Sequence, residues 1–478
     1  MVLGDVLGQI IAGVEVVILA YFVLVNSWYA VLLVSATVAM RNHVLRIRGE
    51  SRWRVLGSSV TPSISILTPA YNEENTIVES LAALLGLHYP NLEVVVVNDG
   101  SKDGTLEVLR QRFDLVMVHP VYRRVLQTKP VRAVFRSRLN PWLIVVDKEN
   151  GGKADSLNAA LNLASGTLVC AIDADTIIEQ DALQRMVRPF LMREDVVAVG
   201  GTIRIANGSR IESGRVTDAR VPRRPIAGFQ VVEYLRAFLF GRLGWNALGG
   251  NLIISGAFGL FRREELRDAG GYQHDTVGED IEIVVRLRRM SYERRGPGRV
   301  EFIPDPVAWT EAPEALGTLG RQRDRWQRGL ADVLWTHRRI LLNPRYRELG
   351  LVVFPYFVFV ELLAPLVEAI GLIGLVIGLI VGAIDLRFAL LFFLLAYGYG
   401  LILSVLTLVL EEISFLRYRR FGDRLLLLLW ILGENFGYRQ LTVIWRLRGM
   451  LNFVRRNKNW GAMERRGFAP AGPAEPRS

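Results

Sequence analysis

Apolar residues are distributed very unevenly along this chain of 478 residues. They concentrate at residues 8–40 and 351–448, whereas residues 41–346 have the mixed composition of a water-facing domain. A helix crosses the hydrocarbon core of a bilayer in about 20 residues, so each apolar region is long enough to span a membrane. The sequence therefore predicts a large water-facing domain inserted between membrane segments.

This pattern divides the chain into four parts. The first is an N-terminal transmembrane anchor at residues 1–45, and the second is the water-facing domain at residues 46–346. Transmembrane and interfacial helices are expected at residues 347–460, followed by a tail at 461–478 whose composition favours disorder.

The apolar regions differ in how they are expected to meet the membrane. The first favours one tilted span over about residues 14–40, preceded by an interfacial stretch. Residues 351–384 are expected to cross once and residues 388–410, which contain no charge, to return. Residues 425–448 are polar in their second half, which favours an interfacial or re-entrant helix.

The formal net charge of +11 is concentrated where the apolar segments end. These basic residues are Arg41, Arg46, Arg48, Arg52, Arg54, Arg417, Arg419, Arg420, Arg455, Arg456 and Lys458. Positive charge beside membrane spans marks the cytoplasmic face and attracts anionic lipid headgroups. We therefore expect a multi-pass protein of a bacterial-type inner (plasma) membrane with a cytoplasmic inserted domain, and no nucleic-acid partner.

A second basic segment lies inside the water-facing domain, at residues 119–142. Its cations are Arg123, Arg124, Lys129, Arg132, Arg136 and Arg138. Solvated or membrane-facing charge is the favoured interpretation, and contact with an acceptor or a lipid is the alternative. The single cysteine, Cys170, excludes an internal disulfide and is expected to be a buried apolar residue.

Strand-like and helix-like segments alternate in the first half of this domain. Strands are predicted at 63–69, 93–101, 143–147 and 167–175, and helices at 75–87, 104–112 and 153–164. Short apolar runs between helices indicate an α/β fold with a parallel sheet covered on both faces. Such sheets bind ligands at the carboxyl ends of their strands. Polar residues follow the predicted strands there, namely Tyr71 to Glu74, Asp99, Asp147, Asp173 and Asp175.

Asp173 and Asp175 form a D-x-D pair at the end of a buried strand. On an extended backbone, side chains two residues apart point to the same side. Mg²⁺ or Mn²⁺ prefers oxygen ligands and bridges carboxylates to phosphates. The pair therefore predicts a divalent-cation site suited to a leaving diphosphate.

The segment Gly278-Glu279-Asp280 opens a helix with apolar periodicity. An acid at this position also stabilises a helix N-terminus, which is the structural alternative. The functional interpretation is a general base that takes a proton from a sugar hydroxyl.

The segment QRDRW places Gln322, Arg325 and Trp326 on one face of a helix. An aromatic ring suits a sugar, and the planar arginine suits a diphosphate. Arginine and tryptophan are also common at membrane interfaces, and the sequence leaves both interpretations open.

Taken together, these motifs resemble the processive family 2 glycosyltransferases, whose members make cellulose, chitin, hyaluronan and poly-N-acetylglucosamine. The resemblance covers about residues 60–465. The motifs, in matching order, are PAYNEE (69–74), VNDGS (97–101), NGGKADSLN (150–158), DAD (173–175), SGAFGLFRR (255–263), GED (278–280) and QRDRW (322–326). The fold implied is GT-A, a Rossmann-like nucleotide-sugar-binding domain.

The resemblance also implies roles for individual residues. The donor would be bound by Tyr71, Glu73, Asp99, Lys153, Asp155, Asp173 and Arg325. The metal would be bound by Asp173 and Asp175, and catalysis would be carried out by Asp280 with Glu279 beside it. The acceptor would meet Gln322, Trp326, Gly256 and Phe258, and Trp460 would gate the donor site.

The function implied is inverting transfer from a UDP-sugar to a growing β-linked polysaccharide, with export as a coupled step. UDP-GlcNAc is favoured over UDP-glucose because the layout most resembles poly-N-acetylglucosamine synthases. Transfer of one sugar to a lipid carrier or glycolipid is the alternative. A non-catalytic membrane scaffold on the same fold is less consistent with four acids placed at one site. The expected partners are membrane lipids and either a small membrane subunit or a second copy of the chain.

Overall fold

The computed structural model describes residues 2–49, 61–174, 176–212, 214–294, 298–415 and 417–456. The chain divides into two compact units. The sheet unit consists of residues 42–223 and 249–312, and the helical unit consists of residues up to 41, 224–248 and 313–461. The sequence predicts that residues 224–248 and 313–346 belong to the water-facing domain. In the structure they belong to the helical unit, together with the C-terminal helices.

The sheet unit contains a ten-stranded sheet and a separate two-stranded ribbon, formed by β9 and β10. The strands are β1 (Ile64–Ala70), β2 (Leu92–Asp99), β3 (Leu115–Val118), β4 (Val131–Ser137), β5 (Leu143–Lys148), β6 (Leu168–Ala171), β7 (Ile177–Ile178), β8 (Val196–Ile205), β9 (Arg210–Glu212), β10 (Arg215–Asp218), β11 (Gly259–Arg262) and β12 (Arg299–Thr310).

The large sheet is mixed, with the order β3-β4-β5-β2-β1-β6-β11-β8-β12-β7. Strands β5, β2, β1 and β6 are parallel to their neighbours in this group, as the sequence predicts. Strands that the sequence does not predict make the whole sheet mixed, because β4 pairs antiparallel with β5 and β11 pairs antiparallel with β6 and β8. The buried valines at 94–97 show why the centre folds this way, since a strand covered on both faces is apolar at every position.

The helices of the sheet unit follow the strands closely. They are Ile77–Leu85, Thr105–Arg112, Lys153–Leu163, Ala182–Met186, Arg188–Met192, Arg263–Asp268 and Glu279–Arg294. The helix Lys153–Leu163 packs on β1 and β2, and its Leu157 and Leu161 belong to the main apolar core with Val95 and Ile283.

Two local predictions need correction. The strand predicted over 167–175 ends at Ala171, two residues before Asp173, and Ala174 lies in a turn. The basic segment 119–142 is not only a linker, because it contains β4. Within β4, Arg132 and Arg136 are exposed, whereas Val134 and Phe135 are buried in the core.

The helical unit is built almost wholly of helices. The longer ones are Val2–Gly49, whose last residues from 42 onwards fall in the sheet unit, Pro225–Leu235, Leu316–Thr336, Ala364–Ile380, Leu386–Phe393, Tyr399–Ser414, Phe421–Gly433 and Tyr438–Val454. Short helices and turns connect them at Arg236–Arg242, Leu243–Ala247, Arg338–Ile340, Pro344–Tyr346, Leu349–Val353, Phe354–Tyr356, Phe357–Leu362 and Leu394–Gly398.

Two of these helical segments, Gly8–Arg46 and Leu386–Ser414, are long and apolar enough to cross a membrane. The pair Leu349–Leu362 and Ala364–Ile380 is bent by 43° and gives a third segment if it is one broken span. The first helix is continuous from Val2, so the interfacial stretch expected before residue 14 is not a separate element. The region 425–448 forms parts of two helices with a break between Gly433 and Tyr438.

Candidate active site

The carboxyl ends of β2 and β5 meet in a buried ion-pair cluster. Asp99 and Lys148 end these neighbouring strands and are paired in register. The Nζ atom of Lys148 lies 2.6 Å from Oδ1 of Asp99 and 2.6 Å from Oδ1 of Asp155. All three side chains are buried, with Lys148 0% exposed. One ammonium group therefore bridges two carboxylates at the edge of the parallel strands.

The same aspartate holds the glycine turn that precedes the helix Lys153–Leu163. Asp99 accepts hydrogen bonds from the backbone N–H groups of Gly151 (3.0 Å) and Gly152 (2.8 Å). Gly152 has φ +88°, a conformation that favours glycine. A Cβ atom on Gly151 would lie 2.6 Å from Cγ of Asp155, so this position also needs glycine.

The family resemblance predicts that Asp99 and Asp155 bind the donor, and in the structure both carboxylates are engaged by protein groups. Asp155 also accepts the backbone N–H of Lys129. Lys148 was missed, although a lysine that ends a buried apolar strand just before a glycine turn is a visible signal.

A second charged cluster surrounds Lys153. Its Nζ atom lies 2.5 Å from Oδ1 of Asp173 and 3.6 Å from Oε1 of Glu279. Burial lowers the pKa of the Lys153 ammonium, but the carboxylates of Asp173 and Glu279 outweigh it and hold that pKa above its ordinary value. Lys153 is therefore a permanent cation in the middle of several acids.

Asp280 lies next to this cluster at the start of the helix Glu279–Arg294. Its Oδ2 accepts the backbone N–H of Gly256 at 3.1 Å, and its Oδ1 accepts the N–H of Ile281 at 2.9 Å. A Cβ atom on Gly256 would lie 3.0 Å from Nζ of Lys153 and 3.4 Å from Oδ2 of Asp280, so glycine lets the two groups approach. Phe258 is fully buried, which places its side chain in the interior.

The loop after β1 is braced against the loop after β2. Asn72 has a left-handed backbone conformation with φ +56°. Its backbone N–H donates to Oγ of Ser101, and the Oδ1 atom of the Asn72 side chain accepts the backbone N–H of Lys102. Three further bonds are Glu73 N–H to Thr105 Oγ1 at 2.9 Å, Glu74 N–H to Asp103 Oδ2 at 3.2 Å and Gly104 N–H to Glu74 Oε2 at 2.9 Å. Tyr71 is exposed and Glu73 is buried, with Oε2 accepting the hydroxyl of Thr76.

The QRDRW residues belong to the helical unit, on the helix Leu316–Thr336. Trp326 is 41% exposed, and the Arg323 guanidinium lies 4.4 Å from the centre of its ring. Arg323 is itself buried and bonds Oε2 of Glu233 at 2.6 Å, and the hydroxyl of Tyr438 donates to the same oxygen. Arg323 was not among the predicted residues, although it adjoins them and fixes the tryptophan ring.

The predicted metal site is described only in part, because Asp175 lies outside the described residues, as does Trp460. Among the residues that the structure describes, no group of three or more His, Cys, Asp and Glu is placed to hold a metal. Asp173 is partly exposed, offers hard oxygen atoms and shares the Lys153 ammonium group with Glu279. This donor chemistry fits Mg²⁺ or Mn²⁺.

The fold is shared with a known sugar-transferring enzyme. The mannosyltransferase PcManGT from Pyrobaculum calidifontis, solved in complex with GDP-Man and Mn²⁺, aligns with a TM-score of 0.52 at 20% sequence identity. The alignment covers 91% of this chain and 99% of that chain. At this identity the likeness shows the fold, and it confirms the predicted α/β GT-A class.

The sequence matches define the family more closely. Residues 65–268 match the family described as glycosyl transferase family 2, and residues 168–403 match the one described as glycosyl transferase family group 2. The chain therefore belongs to the family 2 glycosyltransferases, as its motifs indicate.

Its curated relatives include poly-beta-1,6-N-acetyl-D-glucosamine synthases. The synthase of Staphylococcus epidermidis is 30% identical over 272 residues, and that of Staphylococcus aureus (strain MSSA476) is 31% identical over 272 residues. Each match covers 57% of this chain and 55% of the relative, so the chain spans about half the length of the curated relatives it matches.

Proposed function

We propose that this chain is a membrane-embedded, inverting glycosyltransferase that extends a β-linked polysaccharide from a UDP-sugar. UDP-GlcNAc is the favoured donor, because the matched relatives are named as poly-beta-1,6-N-acetyl-D-glucosamine synthases. UDP-glucose is the second candidate. The observation that carries the proposal is the cluster of Lys153, Asp173, Glu279 and Asp280 beside the parallel strand ends.

The cluster supplies the two charges that this reaction needs. The acceptor hydroxyl oxygen bonds to the anomeric carbon while the bond from that carbon to the diphosphate breaks. Asp280, fixed by two backbone N–H groups, takes the hydroxyl proton as general base. Lys153 places a positive charge where a leaving diphosphate carries negative charge. Inversion follows because attack and departure occur on opposite faces of the sugar.

Asp173 and Asp175 would hold a Mg²⁺ or Mn²⁺ ion, and this cation would neutralise the departing diphosphate. Tyr71, Glu73 and Asp99 are proposed to form the nucleotide side of the pocket, with Asp99 and Asp155 acting mainly by holding the Gly151-Gly152 turn in place.

The acceptor end is proposed to involve the QRDRW residues. The exposed ring of Trp326 would stack on a sugar, and Gln322 and Arg325 lie on the same helix. Gly256 is also proposed to contact the acceptor, and Trp460 is proposed to gate the donor. The alternative remains the transfer of a single sugar to a lipid carrier, which uses the same donor site but does not need Trp326.

The location proposed is a plasma membrane, with the sheet unit in the cytoplasm. The basic residues at the ends of the apolar segments support this orientation. Export of the polymer by this chain, alone or with a second copy or a small membrane subunit, is part of the same proposal.

The test is radiolabel transfer from a panel of UDP-sugars by the purified chain in nanodiscs with Mg²⁺ or Mn²⁺. High-mass product from one donor, digested by a linkage-specific glycosidase, is expected. One sugar added to extracted lipid would instead assign the chain to the lipid-carrier alternative.

A substitution tests the catalytic role directly. Asp280→Asn is expected to abolish transfer while UDP binding survives, because the side chain keeps its shape and loses its basic oxygen. Asp268→Asn, which changes an exposed aspartate in the same unit, is the matched control and should transfer normally. Unchanged turnover in Asp280→Asn would remove this residue from its role.

A further inference from the structure

One edge of the large sheet carries an unusual run of charge. Residues 115–142, here called the basic edge, include β3, β4 and the segments that flank β4. From Leu115 to Val146 the sequence contains six Lys and Arg residues and no Asp or Glu. Strand β3 is the terminal strand of the sheet and β4 lies next to it, with Arg132 and Arg136 on β4 and the other four cations in the segments that flank β4.

All six cations are exposed. They are Arg123, Arg124, Lys129, Arg132, Arg136 and Arg138. Exposed apolar side chains lie between and beside them along the same stretch, namely Met117, Val121, Val125, Leu139 and Trp142. Trp142 is 68% exposed and Leu139 is 63% exposed, which is unusual for large apolar residues in a water-facing turn.

The basic edge has a defined shape. Leu126 is buried in the core, and the Asn162 side chain accepts the backbone N–H groups of Val125 and Leu126 and donates to the Leu126 carbonyl. The backbone N–H of Lys129 is bonded to Asp155. The exposed cations of residues 123–129 are therefore displayed from an anchored backbone.

Protection of a free sheet edge is the simpler explanation for the cations, since charged residues on edge strands prevent pairing between molecules. That role needs charge alone and gains nothing from an exposed tryptophan and leucine. Basic residues mixed with exposed aromatic and aliphatic ones match a membrane interface, where headgroups attract the cations and the interfacial layer accepts the rings. The same chain contains helices long enough to cross a membrane, so a bilayer is an available partner for such a surface.

We propose that the basic edge docks on the anionic lipid headgroups of the bilayer. The six cations face the phosphates, and Leu139 and Trp142 enter the interfacial layer. This contact is independent of sugar transfer and uses none of the residues proposed for catalysis.

The test uses a fluorescent probe on the full chain in nanodiscs. Cys170, the single native cysteine, is fully buried, so an environment-sensitive thiol probe labels an introduced Leu139→Cys. Nitroxide-labelled lipids then report contact by quenching. Quenching is expected to be about threefold stronger in discs containing phosphatidylglycerol than in neutral discs at low salt, and to be lost near 1 M salt, where screening extends only about 3 Å.

Two controls make the result specific. Met192→Cys, at another exposed apolar position of the sheet unit, should show the same weak quenching in both kinds of disc. Adding Arg136→Gln and Arg138→Gln to Leu139→Cys should remove the effect of lipid charge. Equal quenching of Leu139→Cys in neutral and anionic discs would overturn the proposal. A probe response to RNA in neutral discs without a response to anionic lipid would also overturn it.

Discussion

Lys148 gives the sharpest test of how the active-site edge is held together. Lys148→Met removes the ammonium group that lies 2.6 Å from both Asp99 and Asp155 and keeps a side chain of similar length. Two buried carboxylates are then left without their shared cation. Breaking a buried ion pair by removing one partner costs about 3–5 kcal/mol of folding free energy.

This loss is large enough to measure by thermal unfolding. For a domain of this size each 1 kcal/mol lowers the melting temperature by about 2–4 °C, so we expect a fall of about 6–20 °C. The assay is intrinsic fluorescence of the full chain in nanodiscs during heating. Lys102→Met, at an exposed lysine of the neighbouring loop, is the matched control and should melt within about 2 °C of the natural chain.

A second substitution separates charge from packing. Asp99→Asn in the Lys148→Met background removes one of the uncompensated charges and should recover part of the lost stability. If Lys148→Met melts like the control, the ion-pair cluster does not hold the turn before the helix Lys153–Leu163, and the assignment of Asp99 and Asp155 to that role is refuted.

The remaining predictions concern catalysis. Gly256→Ala places a methyl group 3.0 Å from Nζ of Lys153. This variant should lower turnover about tenfold in the transfer assay with little change in melting temperature. Unchanged turnover would contradict the close packing. The neighbouring acids raise the pKa of Lys153, so its stabilising charge is complete below its ordinary pKa of about 10.4 and is lost only at higher pH. The difference in melting temperature between the natural chain and Lys153→Met should therefore stay constant from about pH 6 to 9. A difference that shrinks in this window would be inconsistent with the raised pKa. Trp326→Ala should shorten the polymer on a sizing gel, and normal length would exclude acceptor stacking. Chelation with EDTA should stop transfer until Mg²⁺ or Mn²⁺ is added, and activity that survives chelation would argue against a metal at Asp173.

The local elements of the sheet unit could be predicted from sequence because their signals are local. The helix predicted at 153–164 is observed at Lys153–Leu163, and the strand predicted at 143–147 is observed at Leu143–Lys148. Continuous apolar stretches indicate the buried strands, and apolar residues at helical spacing indicate the helices, so these elements depend little on the rest of the chain.

The pairing of distant segments could not be predicted in this way. Strand β11 enters the sheet between β6 and β8, and its partners lie about 60 to 90 residues away in sequence. The pairing of Lys148 with Asp99 and Asp155, and the fit of Gly256 against Lys153, depend on the same long-range contacts. The motifs contain most of the residues of the two charged clusters but do not indicate which of them contact one another.

The hydrogen bonds between the loops after β1 and β2 have a consequence for turnover by the enzyme. Five hydrogen bonds join residues 72–74 to residues 101–105. At about 0.5–1.5 kcal/mol each, separating the loops would cost about 2.5–7.5 kcal/mol. They therefore behave as one rigid unit. Under the proposed function, any exchange of nucleotide that displaces one of these loops displaces the other with it, so each round of sugar transfer includes a single cooperative step.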